Sequence, residues 1–115
     1  MDQDKAVNAL AALGQSTRLS VFRKLVQAGP DGMTAGDIAA AVSGQPSTMS
    51  HHLGLLERTG LVQSRRDGRM VVYAADYAGT RALLTFLTED CCAGRPELCG
   101  EALANSILRK NGTCE

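Results

Sequence analysis

Three thiols fall within nine residues: Cys91, Cys92 and Cys99, in the stretch Asp90-Cys-Cys-Ala-Gly-Arg-Pro-Glu-Leu-Cys-Gly100. Adjacent thiols, followed by a short loop with glycine and proline to a third, suit a soft ion that accepts three sulfurs in a pyramid. A tetrahedral zinc site fits less well, because zinc usually draws on C-x2-C pairs or on cysteine with histidine. An extended or turning backbone at Cys91-Cys92 can supply two sulfurs, and Gly94 and Pro96 let the chain return Cys99 as the third. If Pro96 opens a helix, Cys99 and Arg95 lie near its positive end, where a thiolate is favoured. Cys99 is therefore the candidate for first attack on an ion. Cys114 stands apart from this cluster, and a lone cysteine is often simply a small buried hydrophobe.

The N-terminal Met-Asp-Gln-Asp-Lys has no basic stretch followed by an apolar run, so no signal peptide is expected. No window approaches the ~18 apolar residues of a membrane span. A cytoplasmic protein without a membrane partner is expected, and clustered thiols in that reducing compartment more often bind metal or respond to oxidation than form structural disulfides.

A second group of residues carries a different chemistry. Pro46-Ser-Thr-Met-Ser-His-His-Leu53 predicts a helix that starts at Pro46 and stops at Gly60. At 100° per residue, Met49, Leu53 and Leu56 share one side, whereas Ser47, His51, Gly54 and Arg58 lie opposite with Ser50 on the flank. His52 falls at the edge of the apolar side. Leu61–Arg66, Asp67-Gly68 and Arg69–Ala74 predict a β-hairpin about an Asp-Gly turn of type I′, with a basic tip of Arg65, Arg66 and Arg69. Formal charge over the 115 residues is zero. Its distribution is uneven, with residues 45–75 at net +2 and residues 76–115 at net −2.

Other elements must hold these two groups. Val7, Leu10, Ala11 and Leu13 predict a first helix over about 4–13. Ser16 is placed as the N-cap of a second helix with Leu19, Phe22, Leu25 and Val26 on its apolar face. Thr34-Ala-Gly-Asp37 has capping-box form ahead of a short third helix that stops around Ser43-Gly44. Leu83, Leu84 and Leu87, broadened by Phe86, mark a fifth helix over about 76–90 that leads into Cys91. Pro96 to Leu108 allows a last short helix. One domain over 1–115 is expected, mainly α with a β-hairpin wing, its thiol segment at about 90–100 and a frayed tail at about 110–115.

Two short helices joined by a turn with glycine, then a basic-tipped hairpin, make a winged helix-turn-helix. Its second helix enters the major groove of DNA near its N-terminus. Ser47, Thr48, Ser50 and His51 are the residues placed to read DNA, with Arg58 on the same face and Arg65, Arg66 and Arg69 on backbone or minor groove.

Leu13-Gly-Gln-Ser-Thr-Arg-Leu19, the helix-turn-helix from Thr34 to Leu61 and the wing to Tyr73 resemble the ArsR family of metal- and metalloid-responsive repressors over residues 5–90. The resemblance implies a homodimer through the first and fifth helices, a twofold-symmetric operator, and an inducer ion that weakens DNA binding. The chain departs from it at Gly54, where many relatives carry lysine. Two of the family's sensing sites have no counterpart here: the third helix has no Cys-x-Cys, and the fifth has no histidine. Cys91, Cys92 and Cys99 resemble the C-terminal three-cysteine site of the arsenic-responsive branch. That resemblance implies As(III), and with it Sb(III), as inducer of arsenic-resistance genes.

Two other readings of the thiols remain open. A disulfide between Cys99 and a neighbour would make a redox-responsive repressor of the same fold. A phosphatase-like arsenate reductase needs C-x5-R, but Glu97 and Leu98 occupy the arginine positions counted from Cys91 and Cys92. No enzymatic activity is expected.

Overall fold

The computed structural model describes residues 1–89, with the backbone alone at Pro46. Cys91, Cys92, Cys99, Cys114 and the expected last helix and tail lie outside the described residues. Five helices and three strands follow in the order α1 (Gln3–Leu13), α2 (Ser16–Ala28), β1 (Met33–Thr34), α3 (Ala35–Ala41), α4 (Pro46–Arg58), β2 (Val62–Asp67), β3 (Met70–Ala75) and α5 (Tyr77–Thr88).

Local chemistry sets the boundaries. The Asp2 carboxylate accepts the Lys5 N–H at 2.8 Å, the Thr34 hydroxyl accepts the Asp37 N–H at 3.2 Å, and Asp76 accepts the Gly79 N–H at 3.0 Å. At α2 the cap is Gln15, whose Oε1 accepts the Arg18 N–H at 2.8 Å. The longer side chain reaches back from one position earlier, and the expected cap Ser16 becomes the first helical residue. α4 ends in a Schellman motif: the Leu61 N–H donates to the Leu56 carbonyl and the Gly60 N–H to that of Glu57, both at 3.1 Å. Gly60, at φ 81°, supplies the left-handed residue this motif needs. At the end of α3 that position falls to Ser43, at φ 56°, rather than to Gly44.

The hairpin pairs β2 with β3 antiparallel, from Val62 opposite Ala75 to Asp67 opposite Met70. The turn therefore consists of Gly68 and Arg69, one residue later than expected. Only Gly68, at φ 66°, has positive φ, the pattern of a type II′ turn and not of type I′, which needs both central residues there. The shift pairs Asp67 in the ladder. β1 adds a third strand, Met33 opposite Tyr73 and Thr34 opposite Val72, giving the order β1-β3-β2. Two residues leading straight into a helix leave no periodic trace in the sequence.

Leu25, Ile38, Met49, Leu53, Leu56 and Leu61 are all fully buried where α2, α3, α4 and the sheet meet. α1 turns its small side inward. Ala6, Ala9 and Ala12 are buried, while the expected apolar face is outside, with Val7 55% and Leu10 44% exposed. In α2, Val21 and Leu25 are buried, whereas Leu19 and Val26 are exposed. In α5 only Leu83 of the expected stripe is buried; Leu84 is 38% and Leu87 51% exposed. The two helices pack against each other, so Val7, Leu10, Leu84 and Leu87 leave large apolar side chains uncovered on one pair of helices.

α5 is seated by its first turn. The Asp76 N–H donates to the Leu61 carbonyl at 2.9 Å. A Cβ on Gly79 would run into the Gly60 carbonyl oxygen and stand 2.9 Å from its carbon. No helix among the described residues is long and apolar enough to cross a membrane.

Candidate nucleic-acid interface

With Met49, Leu53 and Leu56 locked in the core, the rotation of α4 is fixed. Its opposite side presents Ser47, Thr48, Ser50 and His51, all exposed. α1, α2, α3 and α5 are each capped by a side chain, but at α4 Gln45 makes no such bond. The Thr48 hydroxyl instead donates to the Gln45 carbonyl at 3.1 Å. Pro46 has no N–H and the Thr48 N–H donates to the Gln45 carbonyl at 3.1 Å, so the Ser47 N–H is the first-turn amide of α4 left without a side-chain acceptor, and such a group favours an anion.

Arg58 is exposed on the same side but eleven residues after Ser47, about 16 Å along the axis. It lines an open groove of about 450 Å³ with Asn8 and Ala11 of α1 and Arg18 of α2. The structure therefore brings Ser47, Thr48, Ser50 and His51 together at one end of α4 and leaves Arg58 at the other.

The wing is held at two points. The Ser64 hydroxyl donates to Glu57 Oε2 at 2.7 Å, tying β2 to the last turn of α4. Arg65 donates from Nη1 to the Pro30 carbonyl at 3.2 Å and from Nη2 to that of Asp31 at 2.9 Å. Arg65 thus clips the wing to the loop after α2. Arg66, pointing to the other face of β2, and Arg69 at the turn are exposed.

Behind α4, Arg18 Nε donates to the Ala12 carbonyl at 2.7 Å, and its Nη1 lies 3.4 Å from His52 Nδ1. A guanidinium has only donors, so the ring nitrogen accepts. Burial, then the charge of Arg18 and then His51, hold the His52 pKa below its ordinary 6.5. His52 is neutral at pH 7 and adds no charge to the exposed face. The stability this lends is complete above pH 6.5 and declines as pH falls from there towards the lowered value. Arg18, Glu57 and Ser64 were not among the residues singled out from sequence. Arg18 and His52 are 34 positions apart, and no local pattern links them.

Gly54 lies between the two ends of the exposed face, and a Cβ there meets nothing within 4 Å. Gly54→Lys is expected to stabilise the fold by about 0.5–1 kcal/mol through helix propensity. Thermal denaturation should show a rise of a few degrees in Tm.

Among the described residues no group of three or more His, Cys, Asp or Glu is placed to hold a metal ion.

Residues 13–65 match the family model of a helix-turn-helix domain. The chain is 36% identical over 61 residues to the cadmium resistance transcriptional regulatory protein CadC of Listeria innocua, covering 53% of this chain and 50% of that protein. It thus spans about half the length of that relative. It is 31% identical over 70 residues to an uncharacterised HTH-type transcriptional regulator of Methanocaldococcus jannaschii, covering 61% of this chain and 76% of that protein. Among solved structures, the homodimeric winged helix-turn-helix DNA-binding domain of a possible ArsR-family regulator from Mycobacterium bovis superposes with a TM-score of 0.61 at 27% identity, covering 76% of this chain and 81% of that one.

Proposed function

Because the chain belongs to the ArsR family of winged helix-turn-helix transcriptional regulators, we propose that it represses transcription as an operator-bound homodimer, released when trivalent arsenic or antimony binds Cys91, Cys92 and Cys99. Release would derepress arsenic-resistance genes. One observation carries the DNA reading: the exposed hydroxyl and imidazole face of Ser47, Thr48, Ser50 and His51 lies at the one described helix start without a side-chain cap. Hydroxyls and the Ser47 N–H there suit phosphate and base edges. Arg66 and Arg69 are exposed on the wing, Arg58 follows at the far end of α4, and Arg65 fixes the wing's direction.

The uncovered side chains of α1 and α5 support the dimer. The M. bovis relative, described as homodimeric, supports it as well.

The inducer reading rests on the chemistry of the thiols. Arsenous acid bonded by three cysteines exchanges its three hydroxyls for three sulfurs and releases three waters. The product keeps the arsenic lone pair at the apex of a pyramid, which adjacent Cys91 and Cys92 with Cys99 across a short loop can form. The resemblance to a cadmium-resistance regulator makes Cd(II) the natural competing ion.

A gel shift with a labelled operator duplex under reducing conditions tests the proposal. Arsenite is expected to weaken binding about 5–150-fold, the range of a 1–3 kcal/mol coupling. Cys91→Ser and Cys99→Ser should each bind the operator normally and ignore arsenite. Release by an oxidant alone would instead support the redox reading, and release by Cd(II) but not arsenite would reassign the ion.

A further inference from the structure

α2 presents Ser20, Arg23, Lys24 and Gln27 at the i, i+3, i+4, i+7 spacing of a single helix face, and all four are exposed. Val21 and Leu25, on the other side, are fully buried, which fixes where that face points. With Ala41 and Val42 at the end of α3, the four line an open groove of about 290 Å³. Among the described residues lining it, Arg23 and Lys24 are charged and none is acidic. Asp37, one turn before Ala41 on α3, stands outside the lining.

The groove adjoins the helix-turn-helix. Val42 precedes Pro46 by four residues, so at most about 14 Å of chain separates it from the start of α4. Along one strand of duplex DNA that distance spans about four phosphates. An open groove whose charged lining residues are both cations fits a rod-like polyanion better than a small enclosed ligand, and it lies within that reach of the start of α4.

We propose that Arg23 and Lys24 form a second, sequence-independent anchor for the duplex phosphate backbone beside the recognition helix, with Ser20 and Gln27 as neutral donors along the same track. This rests on the DNA-binding reading above. A dimer would carry two such anchors. Their role is to hold register on the backbone, so they should add affinity without adding discrimination.

The test uses the full-length chain and the double variant Arg23→Ala/Lys24→Ala. Both side chains are exposed, so Tm should be unchanged. Two probes are needed: an operator recovered by wild-type selection from a randomised duplex pool, and a mixed-sequence duplex of equal length. Dissociation constants are measured across a salt series. The log–log salt slope of the variant is expected to fall by about 3–4 per dimer, near 0.9 for each lost contact. Affinity for the two duplexes should fall by the same factor, and Arg23→Lys/Lys24→Arg should restore the slope. An unchanged slope in a variant whose parent binds both duplexes overturns the anchor and leaves the DNA reading standing. Loss on the operator alone also overturns it, because the residues would then be reading sequence. A wild type that binds neither duplex under any salt condition overturns both.

Discussion

Replacing Leu84 and Leu87 together by aspartate is expected to leave a folded monomer whose operator affinity is about 10²–10⁴-fold weaker than wild type, the range lost when two linked binding events become independent. The two side chains are 38% and 51% exposed on α5, and Val7 and Leu10 are exposed on α1, the helix packed against it. They add little to the chain's own core, so charge there should not unfold it. Covering their exposed halves is worth on the order of 1 kcal/mol each, and a twofold interface counts every residue twice. Buried carboxylates facing their own symmetry mates reverse that gain, because a charge brought into an apolar contact without a partner is strongly disfavoured. Light scattering should report half the wild-type mass, circular dichroism an unchanged helix content, and the gel shift the loss of affinity. A dimer persisting in the double variant would place the interface elsewhere.

Gly79→Ala is expected to destabilise the fold by about 3 kcal/mol, the upper part of the range for overpacking a rigid site. That corresponds to a Tm drop of more than about 10 °C for a domain of this size. Most glycine-to-alanine changes inside a helix go the other way, by up to about 1 kcal/mol, so the sign itself is diagnostic. The added methyl has no room: it would strike the Gly60 carbonyl oxygen, a backbone atom held in the Schellman turn that ends α4. No rotamer can relieve a clash between two backbones. Gly54→Ala serves as the control, since its Cβ meets open space and should stabilise.

The two faces of α4 were legible in the sequence because Met49, Leu53 and Leu56 repeat at helical spacing against a polar opposite side. The order of helices and the hairpin followed from caps, glycines and alternation. What could not be read was which of two stripes a helix turns inward. In α1, periodicity pointed to Val7 and Leu10, yet Ala6, Ala9 and Ala12 face the core. Small residues let helices approach closely, and periodicity registers a stripe meant for a second chain as readily as one meant for the chain's own interior. The turn position missed by one residue because Gly68 can serve equally as the first or second central residue of a turn; the strand register decides. The links from Arg65 to the Pro30 and Asp31 carbonyls, and from Ser64 to Glu57, join segments that only the folded chain brings together. The cysteine triad was the most legible chemistry in the sequence, and it lies outside the described residues.

The seat of α5 on Gly60 has a consequence for how this protein can change over time. Gly79 and Gly60 meet without side chains, so a displacement of the first turn of α5 reaches the end of the recognition helix with no rotamer to absorb it. A joint of that kind does not depend on the identity of the residues around it. Substitutions at the far end of α5, about two turns from Gly79, would leave that joint with the DNA-facing helix as it is.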